Sequence, residues 1–216
     1  EAFAFVSEIR KLVRYLEVCD GNMEEGSLRC DANISVRIKG ETKLGTRVEV
    51  KNLNSIRNVK RAIDVEAKRL IEIIEAGGTI QQQTRSFDAN TGTTQAIRDK
   101  EDADDYRYFP EPDLTPFHLQ DEFIEKIRRS IPVLPEERIE KYTTKLKLSD
   151  YDASVLTEER VVSDYFEQII LHTTNYKAAA NWMLGPVKSW MNENGKEITE
   201  FPLKPEQLVS LITLID

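Results

Sequence analysis

The hydrophobic pattern changes period along the chain. Phe5, Val6, Ile9, Leu12, Val13 and Leu16 recur at helical spacing, with Glu8, Arg10, Lys11 and Arg14 filling the other face. That predicts an amphipathic helix ending near Glu17. From Leu28 the period drops to two. Leu28, Cys30, Ala32, Ile34, Val36 and Ile38 point one way on a predicted strand, and Arg29, Asp31, Asn33, Ser35 and Arg37 point the other. Thr46 to Lys51 repeats the alternation, with Arg47, Glu49 and Lys51 opposed to Val48 and Val50. The link from Lys39 to Gly45 holds two glycines, which suits a hairpin. If the apolar faces coincide, so do the polar ones, which brings Asp31, Glu49, Arg29, Arg37, Arg47 and Lys51 onto one sheet surface. The pattern alone leaves two readings open: a ligand-binding face, or a solvated face with cross-strand ion pairs.

A second helix follows. Asn54 or Ser55 is its N-cap, Ile56, Val59, Ile63, Leu70 and Ile74 form its stripe, and Gly77-Gly78 ends it. Arg57, Lys60, Arg61, Lys68 and Arg69 make a solvated or an RNA-contacting face. Thr79 to Phe87 and Thr93 to Arg98 read as strands around the turn cluster Asp88 to Gly92. The acidic run from Asp99 to Asp105 leads into an aromatic and arginine cluster around Arg107. Pro110, Pro112 and Pro116 mark a boundary, after which strand signals vanish. Short helices are expected after Phe123 and from Pro135, and longer ones over Glu158 to His172 and Tyr176 to Met191. Gly185-Pro186 should kink or interrupt the last of these. A final helix begins near Pro205. The expected fold class is α+β. Residues 1–116 form a mainly antiparallel sheet with helices, because their connections are hairpins and single helices, and residues 117–216 form an all-α domain.

Composition narrows the function classes. The chain has 216 residues and a net charge of −8, and both halves carry more acids than bases. Neither half can hold nucleic acid by counterion release alone, so any such contact must be local and shape-dependent. No apolar run approaches the roughly 18 residues a membrane helix needs. Two cysteines without metal-ligand spacing fit a reducing compartment. His118 and His172 stand alone and read as structural. The start at Glu1 has no signal-peptide layout, lacks Met and lies inside a helical pattern, which reads as a piece of a longer protein.

The candidate chemistry sits in three segments: NMEEGSLRCDANISVR (Asn22 to Arg37), GTRVEVKNLNS (Gly45 to Ser55) and DYRYFPEPDL (Asp105 to Leu114). In this order, together with Ala179 to Gly185 in the helical half, they resemble the B subunit of the tRNA-dependent amidotransferase family. The resemblance runs the length of the chain. Gly185-Pro186 departs from the family's pattern and bears only on local helix geometry. The resemblance implies that residues 1–116 are the C-terminal part of a catalytic cradle domain and residues 117–216 a helical domain. It implies an ATP- and Mg²⁺-dependent ligase that phosphorylates the side-chain carboxylate of Glu-tRNA(Gln) or Asp-tRNA(Asn). Ammonia from glutamine then displaces the phosphate. The implied partners are the family's amidase subunit, its small third subunit, and the misacylated tRNA, with no membrane and no DNA. The setting is cytoplasmic or an organellar matrix.

Phosphoryl transfer between anions needs charge neutralisation and positioning, and Mg²⁺ takes hard oxygen ligands. Glu24, Glu25, Asp31 and Glu49 are therefore the expected metal shell, within the segments the resemblance picks out. Arg29, Arg37, Lys51 and Arg107 are expected on phosphate oxygens, and Asn33, Asn52 and Asn54 on substrate. Glu25, Asp31, Glu49, Arg29 and Lys51 carry the catalytic expectation. The 216-residue piece by itself is expected to be inactive, since further cradle residues would precede Glu1. The rival reading is a non-catalytic module that binds tRNA and docks partner subunits. A stand-alone metal-dependent hydrolase lacks any His-rich ligand spacing.

Overall fold

The computed structural model describes residues 1–99, 113–115 and 117–215. Expectations for residues 100–112 and 116, which include Arg107, Pro110, Pro112 and Pro116, lie outside the described residues. The chain divides into two compact units. One comprises Glu1–Arg10 and Cys19–Arg129, the other Lys11–Val18 and Ser130–Asp216. No helix among the described residues is long and apolar enough to cross a membrane.

The first unit is built on one four-stranded sheet. Helix α1 spans Ala2–Tyr15, and strands β1 and β2 span Ala32–Ile34 and Val48–Lys51. Helix α2 runs Ile56–Glu75, followed by β3 (Gln83–Asp88) and β4 (Thr93–Asp99). The spatial order is β1-β2-β3-β4. β1 with β2 and β3 with β4 are antiparallel, whereas β2 with β3 is parallel. The sheet is thus mixed, in an α+β fold. The single parallel pairing arises because α2 carries the chain back across the sheet, as parallel neighbours require.

Local chemistry explains each boundary of α2. Ser55 caps it, its hydroxyl accepting from the Asn58 N–H at 3.2 Å. At the other end Gly77 takes a positive φ, and the N–H groups of Gly77 and Gly78 return to the carbonyls of Ile74 and Ile73, both at 2.9 Å. The core beneath the sheet consists of Ala32, Ile34, Val48, Val50, Leu53, Val59, Ala62, Leu70 and Phe87.

Strand β1 is shorter than the alternation from Leu28 to Ile38 predicts. Its partner β2 offers only four residues, and Asn52 leaves the ladder at φ 65°. On the other side, Gly45 lies against the chain outside the ladder. A Cβ there would meet the Val36 carbonyl oxygen at 2.0 Å, so only glycine fits.

The second unit is helical. It contains α4 (Pro135–Thr144), α5 (Asp150–Leu156), α6 (Arg160–Ile170), α7 (Tyr176–Trp182), α8 (Lys188–Asn194) and α9 (Pro205–Ile215); α3 (Asp121–Ser130) precedes them. Between α7 and α8, Met183–Val187 form a π-helical turn that contains Pro186. The expected break at Gly185-Pro186 is therefore absorbed as a wider turn, with helical backbone on both sides. A π-turn accommodates the missing proline N–H without ending the helix.

The core of this unit includes Tyr142, whose ring meets Phe166 edge-on at 5.1 Å and whose hydroxyl lies 3.2 Å from the Ser163 Oγ. Burial pushes the Tyr142 phenol above its usual range. It pushes Tyr165, whose hydroxyl donates to the Leu203 carbonyl at 2.8 Å, up to about 12. A phenol whose pKa is raised on folding contributes stability that is complete below its unfolded value of about 10 and is lost as pH climbs through the folded value. Both tryptophans, Trp182 and Trp190, belong to this unit. The urea midpoint read by their fluorescence should hold up to pH about 10, fall between about 10 and 12, and fall less steeply in Tyr165→Phe. A flat midpoint over that window would contradict the burial argument.

Candidate functional site: a charged cleft at the end of strands β1 and β2

The turn that opens the site is tied by side chains acting as backbone substitutes. Asp20 Oδ1 accepts from the Asn22 N–H at 2.9 Å, and that backbone donor is the first reason its carboxyl lies below the usual range. Asn22 Oδ1 in turn accepts from the N–H groups of Glu24 at 3.0 Å and Glu25 at 3.4 Å. These Asx turns form a knuckle that presents two adjacent carboxylates. Gly26 follows at φ 82°, and a Cβ there would come within 3.3 Å of the Arg29 guanidinium.

Strand register then sets the polar face. Asn33 pairs with Glu49 across β1 and β2, and Glu49 pairs with Thr84 across β2 and β3. Lys51 Nζ donates to Asp31 Oδ2 at 3.0 Å and stands 3.8 Å from Glu49 Oε1. Asp31 and Glu49 therefore lie on one face of one sheet, joined through an ammonium group. Val48 and Val50 point the other way and are fully buried.

The knuckle, the start of β1 and the end of β2 enclose a cleft of about 410 Å³. Six of the expected residues line it: Glu24, Arg29, Asp31, Lys51, Asn52 and Asn54. Two carboxylates face two cations, so the cleft is close to neutral and offers both hard oxygens and phosphate-binding groups. Asn52 is fixed by its left-handed backbone and by an Nδ2 bond to the Phe87 carbonyl at 3.4 Å. Asn54 accepts from the Asn58 carboxamide at 2.8 Å, which anchors it to the first turn of α2.

Other expected residues are placed elsewhere. Glu25 is exposed on the knuckle and does not line the cleft. Asn33 lines a separate groove beside Phe5 and Val6. Arg37 lies outside β1, donates to the Thr42 carbonyl at 3.0 Å, and lines another depression with Glu41 and Lys43. Arg107 is outside the described residues. Among the described residues no three His, Cys, Asp or Glu side chains converge to hold a metal ion, so the four-carboxylate shell is not assembled by them. Lys51 holds the space between Asp31 and Glu49.

Sequence reasoning passes over two residues. Thr84 is 1% exposed and donates through Oγ1 to Glu49 Oε2 at 3.2 Å. Glu66 on α2 is 0% exposed and binds Arg69, Arg85 and the Thr94 hydroxyl on the opposite face of the sheet. A signal for it exists in the chain: Glu66 falls within the stripe Val59, Ala62, Leu70, where a lone carboxylate needs a buried cation.

Residues 1–125 match the GatB/GatE catalytic domain family, and residues 164–216 match the GatB domain family. The chain is 50% identical over 216 residues to a Geobacter sulfurreducens protein named as the B subunit of aspartyl/glutamyl-tRNA(Asn/Gln) amidotransferase, covering 100% of this chain and 45% of that protein. Proteins of the same name from Alkalilimnicola ehrlichii and Thermodesulfovibrio yellowstonii are each 49% identical, again over 100% of this chain. The chain thus spans somewhat under half the length of the curated relatives it matches. With a match over more than half of its residues, the chain belongs to the GatB/GatE catalytic domain family.

Proposed function

We infer that this chain is part of the B subunit of a glutamine-dependent aspartyl/glutamyl-tRNA amidotransferase. Residues 1–116 act as the C-terminal part of its cradle domain and residues 117–216 as its helical domain. The enzyme converts Glu-tRNA(Gln) to Gln-tRNA(Gln), or Asp-tRNA(Asn) to Asn-tRNA(Asn), in the cytoplasm or an organellar matrix. It works with an amidase subunit that supplies ammonia, and with a small third subunit. The observation that carries this reading is the charge-balanced cleft of Glu24, Arg29, Asp31 and Lys51 in a chain similar along its whole length to proteins so named.

The donor set fits a nucleotide and one Mg²⁺. That ion usually takes one or two protein carboxylates and fills its shell with phosphate and water; Glu24 and Asp31 are the two lining the cleft. When bound, it screens the charge that opposes attack of a carboxylate on a phosphate. The chain's own groups do the rest. Arg29 and Lys51 place positive charge on phosphate oxygens. Asn52 and Asn54, held by their own hydrogen bonds, orient the substrate through fixed carboxamides. In the reaction a side-chain carboxylate oxygen attacks the terminal phosphorus of ATP and ADP leaves. Ammonia then adds to the activated carbonyl carbon, and phosphate leaves.

The test uses the complete protein assembled with its amidase partner, supplied with glutamine, ATP and each misacylated tRNA in turn. Gln-tRNA(Gln) or Asn-tRNA(Asn) should form only with ATP present. Binding of the tRNA without ADP release or amidation would overturn this reading in favour of a docking module.

A further inference from the structure

We propose that Thr84 is a positioning residue of this site, fixing the Glu49 carboxylate so that one chosen oxygen faces Lys51. It acts within the amidotransferase reading, because Glu49 stands beside Lys51, which lines the cleft. Three observations carry it. Thr84 is the register partner of Glu49 on β3, and its hydroxyl donates to Glu49 Oε2 at 3.2 Å. The other oxygen, Oε1, is the one 3.8 Å from Lys51. Thr84 is 1% exposed, and a buried hydroxyl keeps its place only with a partner.

The residue type matters. Strand packing alone is satisfied as well by valine, which has the same shape and a high strand preference. Threonine adds a donor, and its branched Cβ restricts χ1, so the hydroxyl points one way. Glu49 has three side-chain torsions, and the Thr84 bond adds a constraint on them. With Oε2 engaged by Thr84, it is Oε1 that stands beside Lys51. The sequence gap of 35 residues explains why no local motif reveals the pair.

The experiment compares Thr84→Val with Thr84→Ser in the complete, assembled enzyme. Thr84→Val should lower kcat for ATP-dependent amidation by about 10- to 100-fold, the usual cost of losing a group that orients a site ligand. The KM for ATP and the melting temperature should stay near wild type. Thr84→Ser, which keeps the donor, should recover most of the lost rate. Wild-type kcat in Thr84→Val would overturn the proposal. So would a loss that follows melting temperature and is not rescued by serine. If the assembled wild type shows no ATP-dependent amidation, the amidotransferase reading is what fails. A crystal structure of Thr84→Val then decides the positioning claim: a displaced or multiply oriented Glu49 carboxylate supports it, and an unchanged carboxylate overturns it.

Discussion

Glu49→Gln should abolish ATP-dependent amidation by the complete enzyme, with a fall of about 10²- to 10³-fold or more in kcat, as for loss of a preorganised charge-stabilising group. The substitution keeps size and strand fit and removes one negative charge. Glu49 is 14% exposed at its side chain, with Thr84 on one oxygen and Lys51 near the other. A carboxamide can still accept from Thr84, but its NH₂ group would then face the Lys51 ammonium, donor against donor. Lys51 would shift its weight toward Asp31, which changes where its charge sits relative to the cleft. On the proposed reading, release of glutamate from glutamine by the amidase partner should continue, because that chemistry would use another active site. The two activities are measured separately in one preparation. A Glu49→Gln enzyme that amidates tRNA at the wild-type rate would remove Glu49 from the site.

The second large effect concerns stability rather than chemistry. Glu66→Ala should destabilise the sheet-bearing unit by about 3–5 kcal/mol, the cost of breaking a buried ion pair from one side. Glu66 is fully buried, accepts from Arg69 Nε at 3.0 and 3.1 Å, and stands 3.4 Å from Arg85 Nε. Burial and then the neighbouring Arg69 push the Arg85 guanidinium below its usual range, and Glu66 is what opposes them. Without it, two guanidinium groups face each other under the sheet, and Arg85 is 12% exposed. Tryptophan fluorescence will miss this, since Trp182 and Trp190 belong to the other unit. Amide exchange of α2 and β3 is the suitable readout. Protection there that matches wild type would refute the expected loss. Glu66→Gln, which keeps one acceptor oxygen for Arg69 but puts an NH₂ donor where Thr94 and Arg85 approach, should cost less than the alanine change.

Much of the site is legible in the chain because alternation is a strong signal on a half-buried strand. The shared face of Asp31, Asn33, Glu49 and Lys51 follows from period two once β1 and β2 pair. The Ser55 cap and the Gly77-Gly78 stop follow from local backbone chemistry. What stays hidden is long-range. Whether β3 joins β2 in parallel depends on where α2 delivers the chain, and that is set by packing on Val48 and Val50 rather than by a turn motif. Thr84 acquires its role only through that pairing. Arg37 reaches the polar face only if the alternation continues past Ile34. The ladder ends at Ile34 because β2 begins only at Val48, and Arg37 turns to the Thr42 carbonyl instead. At Gly185-Pro186 the residues forecast a break, and the helix takes the proline into a π-turn.

The parallel junction also bears on how the polypeptide reaches its native state. The row Asn33, Glu49 and Thr84 joins three segments, and its last link closes a 35-residue loop containing all of α2. Closing such a loop costs chain entropy before any strand hydrogen bond repays it, so the link forms late relative to the helix it encloses. The row is therefore completed from the β1–β2 side first and from the β3 side last. A nascent chain that has emerged only as far as Glu75 already carries Asp31, Glu49 and Lys51, but not the strand whose Thr84 binds the Glu49 carboxylate. Substitutions that slow α2, far from the charged groups, will delay maturation of the site without changing its final geometry.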